Sequence, residues 1–340
     1  MYWTPVIRFL GTVTLSTNSR IEWIDAAKGL AILLVVVGHA IRGMMLSGIV
    51  PEVGLWGALD RAIYAFHMPL MFVLSGLFLL PSTRQSAGTF LLRRLRRLIW
   101  PLLLWTYIFY GIKVAAGDTA NTASTWADFP WFPLPPRIHF WFLWALFIAS
   151  AMVWVLRRVQ TWSGISDLRF WTVVATLSVF GPFIPLGKTV LYLNTAIAYF
   201  PFLVLGMLVS IVPQPALTRQ SAMLAAAAFV GLMVISLVNP PHIFLFYACG
   251  AGLSLAVCAL ISVAVAHQAK LQALLWLGPA SMAIYMGHTI CSASARTVLI
   301  HLGTANPAIH LIGETLAGLL IPAAAFYGLG NSRLRGILGW

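Results

Sequence analysis

Lys28 and His39 sit eleven positions apart in the first long apolar run of the chain, "RIEWIDAAKGLAILLVVVGHAI". At 3.6 residues per turn that spacing is about three turns. Both side chains therefore leave one helix face, roughly 16 Å apart along the axis. An imidazole suits general-base or nucleophilic work near neutral pH, and a fixed cation suits an anionic ligand. Both are costly inside an apolar helix, where such residues usually face a protein interior or a watery cavity.

Other ionisable residues fall in apolar runs. With a rise of about 1.5 Å per residue, His39, His67 and His288 come out at roughly 18, 20 and 21 Å from one face of a core about 30 Å thick. Three histidines from three spans thus share one depth. Arg42 lies one turn beyond His39, and Asp60 and Arg61 end the second span. Ser281, Tyr285 and His288 form one stripe at i, i+4, i+7, and Glu314 lies within the last span. Each could instead pair with a neighbour and only fix helix packing. In "FLLRRLRRLIWP", Arg93, Arg94, Arg96 and Arg97 precede the third span. Guanidinium groups bind phosphate bidentately, but topological charge or attraction to anionic lipid explains such a cluster equally well.

The elements that must position these residues are helices in a bilayer. The 340 residues are 60% hydrophobic and 9% charged, with mean hydropathy +0.90. That excludes an ordinary soluble domain and predicts an all-α, polytopic membrane bundle. About ten spans are expected, near 26–48, 58–80, 98–117, 138–156, 170–186, 192–212, 221–238, 243–266, 274–300 and 309–328. The net charge of +13 reads as positive-inside bias and not as nucleic-acid binding. The basic segments around Arg84, Arg93 to Arg97, Arg157, Arg158 and Arg333 share one side, which puts both termini in the cytoplasm and the protein in the cell (inner) membrane. Residues 1–19 are expected to be a loose or interfacial leader, 20–330 the membrane domain and 331–340 a cytoplasmic tail. The outward loop 118–137, rich in Trp, Pro and Thr, is expected to form part of a lid or mouth. Cys249, Cys258 and Cys291 lack metal-ligand spacing, and no metal is expected.

Five segments together resemble the acyltransferase-3 family of integral membrane acyltransferases. "WIDAAKGLAILLVVVGH" is similar to its opening signature, with Lys28 and His39 at the basic and histidine positions. "FHMPLMFVLSG" (66–76) is similar to its second-span signature, and "RRLRRLIWP" (93–101) to its Arg-x-x-Arg loop, best matched by Arg94 and Arg97. "HFWFLWALF" (139–147) and "SMAIYMGHT" (281–289) resemble the fourth-span and late Tyr-x-x-His segments. They run in family order, and the chain resembles more closely the stand-alone sugar O-acetylase branch, for which an extracytoplasmic esterase-like domain is not expected. Many members have Arg where this chain has Lys28, which removes a fork of donors and keeps the charge.

The resemblance implies transfer of an acetyl or other acyl group from cytoplasmic acetyl-CoA (acyl-CoA) to a hydroxyl of a surface or exported glycan or a lipid-linked sugar. His39 would be the general base. Lys28, Arg93, Arg94 and Arg97 would hold the CoA phosphates, with Asp25 beside Lys28. Tyr285 and His288 would line the acceptor side or serve the oxyanion, and Arg42, His67 and Trp141 would contact the acceptor. Polysaccharide-assembly proteins are an expected partner besides the bilayer. Two other readings stay open at this point: a secondary transporter or glycan flippase with an intramembrane His/Lys proton relay, and a non-catalytic membrane subunit.

Overall fold

A polypeptide in a bilayer must satisfy its backbone polar groups internally, and a helix does so within one segment. The computed structural model of the protein meets that demand with helices. It describes residues 22–117, 125–136, 138–184, 193–212, 218–239 and 242–340. In chain order the helices are α1 (Glu22–Leu46), α2 (Gly54–Tyr64), α3 (His67–Gly76), α4 (Leu79–Ser82), α5 (Ala87–Arg94), α6 (Trp100–Ala116), α7 (Trp141–Ser163), α8 (Asp167–Ser178), α9 (Leu193–Ile211), α10 (Arg219–Val238), α11 (Ile243–Ala266), α12 (Gln272–Leu277), α13 (Ser281–His301), α14 (Pro307–Gly328) and α15 (Arg333–Ile337). One π turn, Leu95–Ile99, joins α5 to α6. The chain is a multi-pass helical membrane protein. The expected leader, and parts of the expected outward loop, lie outside the described residues.

Among the described residues, seven helices are long and apolar enough to cross a membrane on their own. The other three expected spans have different forms. The second is broken into α2 and α3 instead of running through 58–80. The cause is Pro69, which has no amide proton and whose ring collides with the carbonyl four residues back, so the helix stops at Ala65–Phe66 and restarts. The fifth is α8, only twelve residues long and about 18 Å, too short for the hydrocarbon core. The ninth is α13, 21 residues but more polar, preceded by the short α12.

α1 is the hub. It packs against α2, α3, α11, α12, α13 and α14. Small residues make this possible: Ala26, Ala27, Ala31 and Ala40 are fully buried, and Gly29 lets the α12 backbone approach, since a Cβ there would stand 2.1 Å from the Leu274 carbonyl oxygen. α3 and α9 meet by a reciprocal device. A Cβ at Gly76 would strike the Leu203 carbonyl at 2.1 Å, and one at Gly206 the Val73 carbonyl at 2.0 Å. Close backbone approach at small residues is the main way apolar helices gain packing when lipid offers the same hydrophobicity. α10 has no buried residue; its outward Met223, Leu224 and Val230 suit contact with lipid chains.

The short α15 folds back beneath α6. The indole N–H of Trp100 donates to the Ile337 carbonyl at 2.7 Å and that of Trp105 to the Leu338 carbonyl at 3.0 Å, while Trp105 and Trp340 stack at 5.7 Å. The segment 331–340, expected as a cytoplasmic tail, packs against α6 through these contacts.

Gly206→Ala forces a Cβ into the α3 backbone and is expected to cost about 1–3 kcal/mol. Gly231→Ala on α10, with open space around its Cβ, is expected to be neutral or slightly stabilising. Thermal unfolding of the two variants in detergent checks this; equal midpoints would contradict it.

Candidate active site

His39 lies in the second half of α1, and its neighbours on both sides are imidazoles. Its ring centroid is 5.0 Å from that of His288 on α13 and 5.9 Å from that of His139, just before α7. His139 and His288 are 5.4 Å apart, closing a triangle. The His39 ring thus faces the bundle interior. The sequence arithmetic places His39, His67 and His288 at one level; the structure brings His39 and His288 together and sets His67 against Tyr64 instead.

The surrounding residues hold the triangle in place. His288 is fully buried. Its Nδ1 lies 3.0 Å from the Ile284 carbonyl oxygen and 2.9 Å from that of Tyr285. A carbonyl can only accept, so Nδ1 carries the proton and Nε2 keeps a bare lone pair. That Nε2 is buried without a hydrogen-bond partner. In this tautomer it is a base or nucleophile and not an oxyanion donor. The Tyr285 hydroxyl donates to the carbonyl of His139. Its proton is committed to fixing the His139 segment, which differs from an expected role at the oxyanion. Thr289, one residue after His288, has its hydroxyl 3.2 Å from His139 Nε2, and Phe109 of α6 meets the His139 ring edge-on at 5.4 Å. His139 is the second residue of the expected span 138–156, which puts it at the outer end and away from the level of His39, although it opens the quoted segment "HFWFLWALF". That is the site residue sequence reasoning missed.

His67 and Arg42 lie in an adjoining cluster. The His67 Nδ1 is 2.8 Å from the Ile63 carbonyl, so its ring caps the end of α2 at the Pro69 break. Its ring meets Tyr64 edge-on at 4.5 Å. Arg42 forms a forked pair with Asp60, at 2.7 and 3.1 Å, and its guanidinium lies 3.2 Å over the Tyr64 ring. Trp141 packs on Tyr199 at 5.1 Å, within the aromatic core.

At the end of the bundle where α1 begins, Lys28 Nζ sits 5.3 Å from the Phe78 ring. Phe78 immediately precedes α4, whose last residue, Ser82, accepts a 3.0 Å hydrogen bond from Arg94 Nη2. Arg158 stacks over Trp154 at 4.4 Å and donates to the Gln85 carbonyl at 2.9 Å. Lys28, Arg94 and Arg158 thus surround α4 and the turn after it. Arg94 is half-buried, while Arg93 and Arg97 are exposed. The π turn between the two halves of this helix, a feature frequent at functional sites, re-phases Arg97 relative to Arg94. Asp25 lies one turn before Lys28, where its backbone carbonyl packs on Gly278.

A second ionic group stands at the other end. Arg296 Nη1 and Glu314 Oε2 are 2.7 Å apart, both buried, and His310 Nδ1 is 3.5 Å from Glu314 Oε1. The guanidinium packs where Gly43 of α1 has no side chain. Ser292, one turn after His288, donates to the Glu314 carbonyl at 2.8 Å. This group ties α13 and α14 to α1 directly beyond the imidazoles. Among the described residues, no group of three or more His, Cys, Asp or Glu side chains is arranged to hold a metal ion.

His39, His139 and His288 thus meet inside the helix bundle, with Lys28 three turns before His39 on the same helix. The chain belongs to the acyltransferase-3 family: the family profile, described as an acyltransferase domain, matches residues 21–327. It is similar to nodulation protein NolL of Mesorhizobium japonicum, 29% identical over 164 residues that cover 45% of this chain and 41% of the relative. It is likewise similar to nodulation protein NolL of Sinorhizobium fredii, 29% identical over 213 residues covering 60% of this chain and 52% of the relative. The chain thus spans about half or less of the length of these curated relatives. No solved structure matches it.

Arg296→Ala would strand a buried Glu314 and is expected to lower stability by about 3–5 kcal/mol, whereas the double change Arg296→Met with Glu314→Leu removes both charges and should restore much of the loss. Thermal melts in detergent test this; equal damage from the single and double variants would contradict it.

Proposed function

We propose that the protein is a membrane O-acyltransferase that moves an acetyl or related acyl group from cytoplasmic acyl-CoA to a hydroxyl of a glycan or lipid-linked sugar. The observation that carries this reading is the convergence of His39, His139 and His288 inside the bundle, with Lys28 three turns away on the helix of His39. Family membership supports the reaction class.

The chemistry needs a base for the hydroxyl proton, a grip on the donor and a dry place for the collapse of the tetrahedral intermediate. The basic rim of Lys28, Arg94 and Arg97 lies on the cytoplasmic side in this reading and holds the CoA phosphates, with exposed Arg93 adding to the field that draws the anion in. The flexible arm of CoA carries the thioester into the bundle. His39 takes the acceptor's proton, the alkoxide oxygen bonds to the acyl carbon, and the thiolate leaves and is protonated. The lone pair on His288 Nε2 points to a second proton site, and Tyr285 acts by positioning His139. Arg42 and His67 stand toward the acceptor side, while Trp141 is packed on Tyr199 in the aromatic core. On this reading the protein works in the cell (inner) membrane with both termini in the cytoplasm, beside polysaccharide-assembly proteins.

His39→Ala, at wild-type abundance in the membrane, is expected to cut acyl transfer by about 10²–10⁴-fold, the range of a lost general base. Arg94→Gln with Arg97→Gln is expected to raise the KM for acyl-CoA while leaving the acceptor KM in place. Transfer assays with radiolabelled acetyl-CoA check both. Normal product from His39→Ala would remove that residue from the mechanism, and unchanged donor dependence would leave the arginines as topology determinants.

A further inference from the structure

The segment that delivers His139 to the imidazole triangle also builds an aromatic cleft at the same end of the bundle. Tyr107, Trp126, Phe129, Pro130 and Trp131 line a cavity of about 540 Å³, within the range of small-ligand sites. Phe129 lies at its centre. It stacks on Tyr107 at 5.6 Å and meets Trp126 at 5.6 Å and Tyr110 at 6.4 Å. The Tyr107 hydroxyl fixes the wall by donating to the Trp131 carbonyl at 3.2 Å. The Thr125 amide and hydroxyl both bond to Asp128, which holds that carboxyl below its ordinary pKa and pins the turn carrying Trp126. The indole of Trp131 is 95% exposed and that of Trp126 72%.

We propose that this cleft binds the acceptor as a pyranose ring of neutral glycan, stacked on the faces of Trp126, Phe129 and Trp131; the proposal rests on the acyl-transfer reading. Two observations favour a sugar. The lining is flat and rigid, four aromatic rings and a proline with no aliphatic chain among them. One face of a pyranose is a flat set of C–H bonds, whose partial positive charge suits the negative face of an aromatic ring. The cleft also shares α6 with the imidazole cluster. Tyr107 and Tyr110 share one face of α6 and meet Phe129, while Phe109, on another face of the same turn, touches His139. A glycan seated on the rings would thus lie one helix width from the imidazoles. The competing occupant is the bilayer interface, where exposed Trp and Tyr also gather.

The test uses the full chain in nanodiscs, with tetrasaccharides of hexose, deoxyhexose and N-acetylhexosamine units as probes and no acyl-CoA present. Wild-type protein is expected to bind at least one probe. Trp126→Ala and Trp131→Ala should each weaken that binding by about tenfold, while Trp131→Phe, which keeps a ring, should retain most of it. In transfer assays the alanine variants should raise the acceptor KM and not the acyl-CoA KM. Absence of binding to every probe, binding indifferent to both alanine changes, or quenching of Trp126 and Trp131 by brominated lipid with no protection by oligosaccharide would overturn the proposal. Because binding is read without donor, ring-dependent sugar binding by a protein that never consumes a thioester would uphold the cleft and defeat only the transfer reading.

Discussion

A polar side chain inside an apolar helix bundle can find partners only among other side chains, freed carbonyls or a ligand. That constraint organises this molecule around α1. At its start, Lys28 faces the ring of Phe78 beside α4. Further along, His39 meets His139 and His288. At its end, Arg42 takes Asp60, and Gly43 makes room for the Arg296–Glu314 pair. Each group on α1 is met by a different element, so the pairings fix the positions of α2, α13, α14 and the segment before α7 together.

Most of those partners are satisfied structurally. Arg42 is forked onto Asp60, His67 caps α2, and Arg296 is paired in the interior. Nε2 of His288 is among the buried polar atoms left without a hydrogen-bond partner, and two carbonyls on the other side of its ring set its tautomer. A buried nitrogen kept bare is costly. It is the sort of expense found where a group must be ready to take a proton or bond to an incoming atom.

Much of this was legible in the sequence, because hydropathy and rise per residue are local properties. They give the helical membrane class, the approximate limits of the long spans and the common level of His39 and His288. The break at Pro69 was not read, although its chemistry is local, because apolar residues on both sides of it make 58–80 long enough for one span. His139 was hidden because it falls at the outer end of the expected span 138–156, where depth arithmetic separates it from His39 and His288. The pairing of Arg296 with Glu314 depends on how α13 meets α14, which no local property of either segment reveals. Trp141 carried the family signature but turns into the Tyr199 core, which only tertiary packing decides.

The central claim is that a thioester arriving past Lys28 can reach the imidazole triangle. A structure with a non-transferable thioether analogue of acetyl-CoA tests it most directly. The account predicts phosphates against Lys28, Arg94 and Arg97 and the ketone carbonyl in contact with His39 and His288. An analogue held wholly outside the bundle, or one whose carbonyl is separated from those rings by packed side chains, would contradict it.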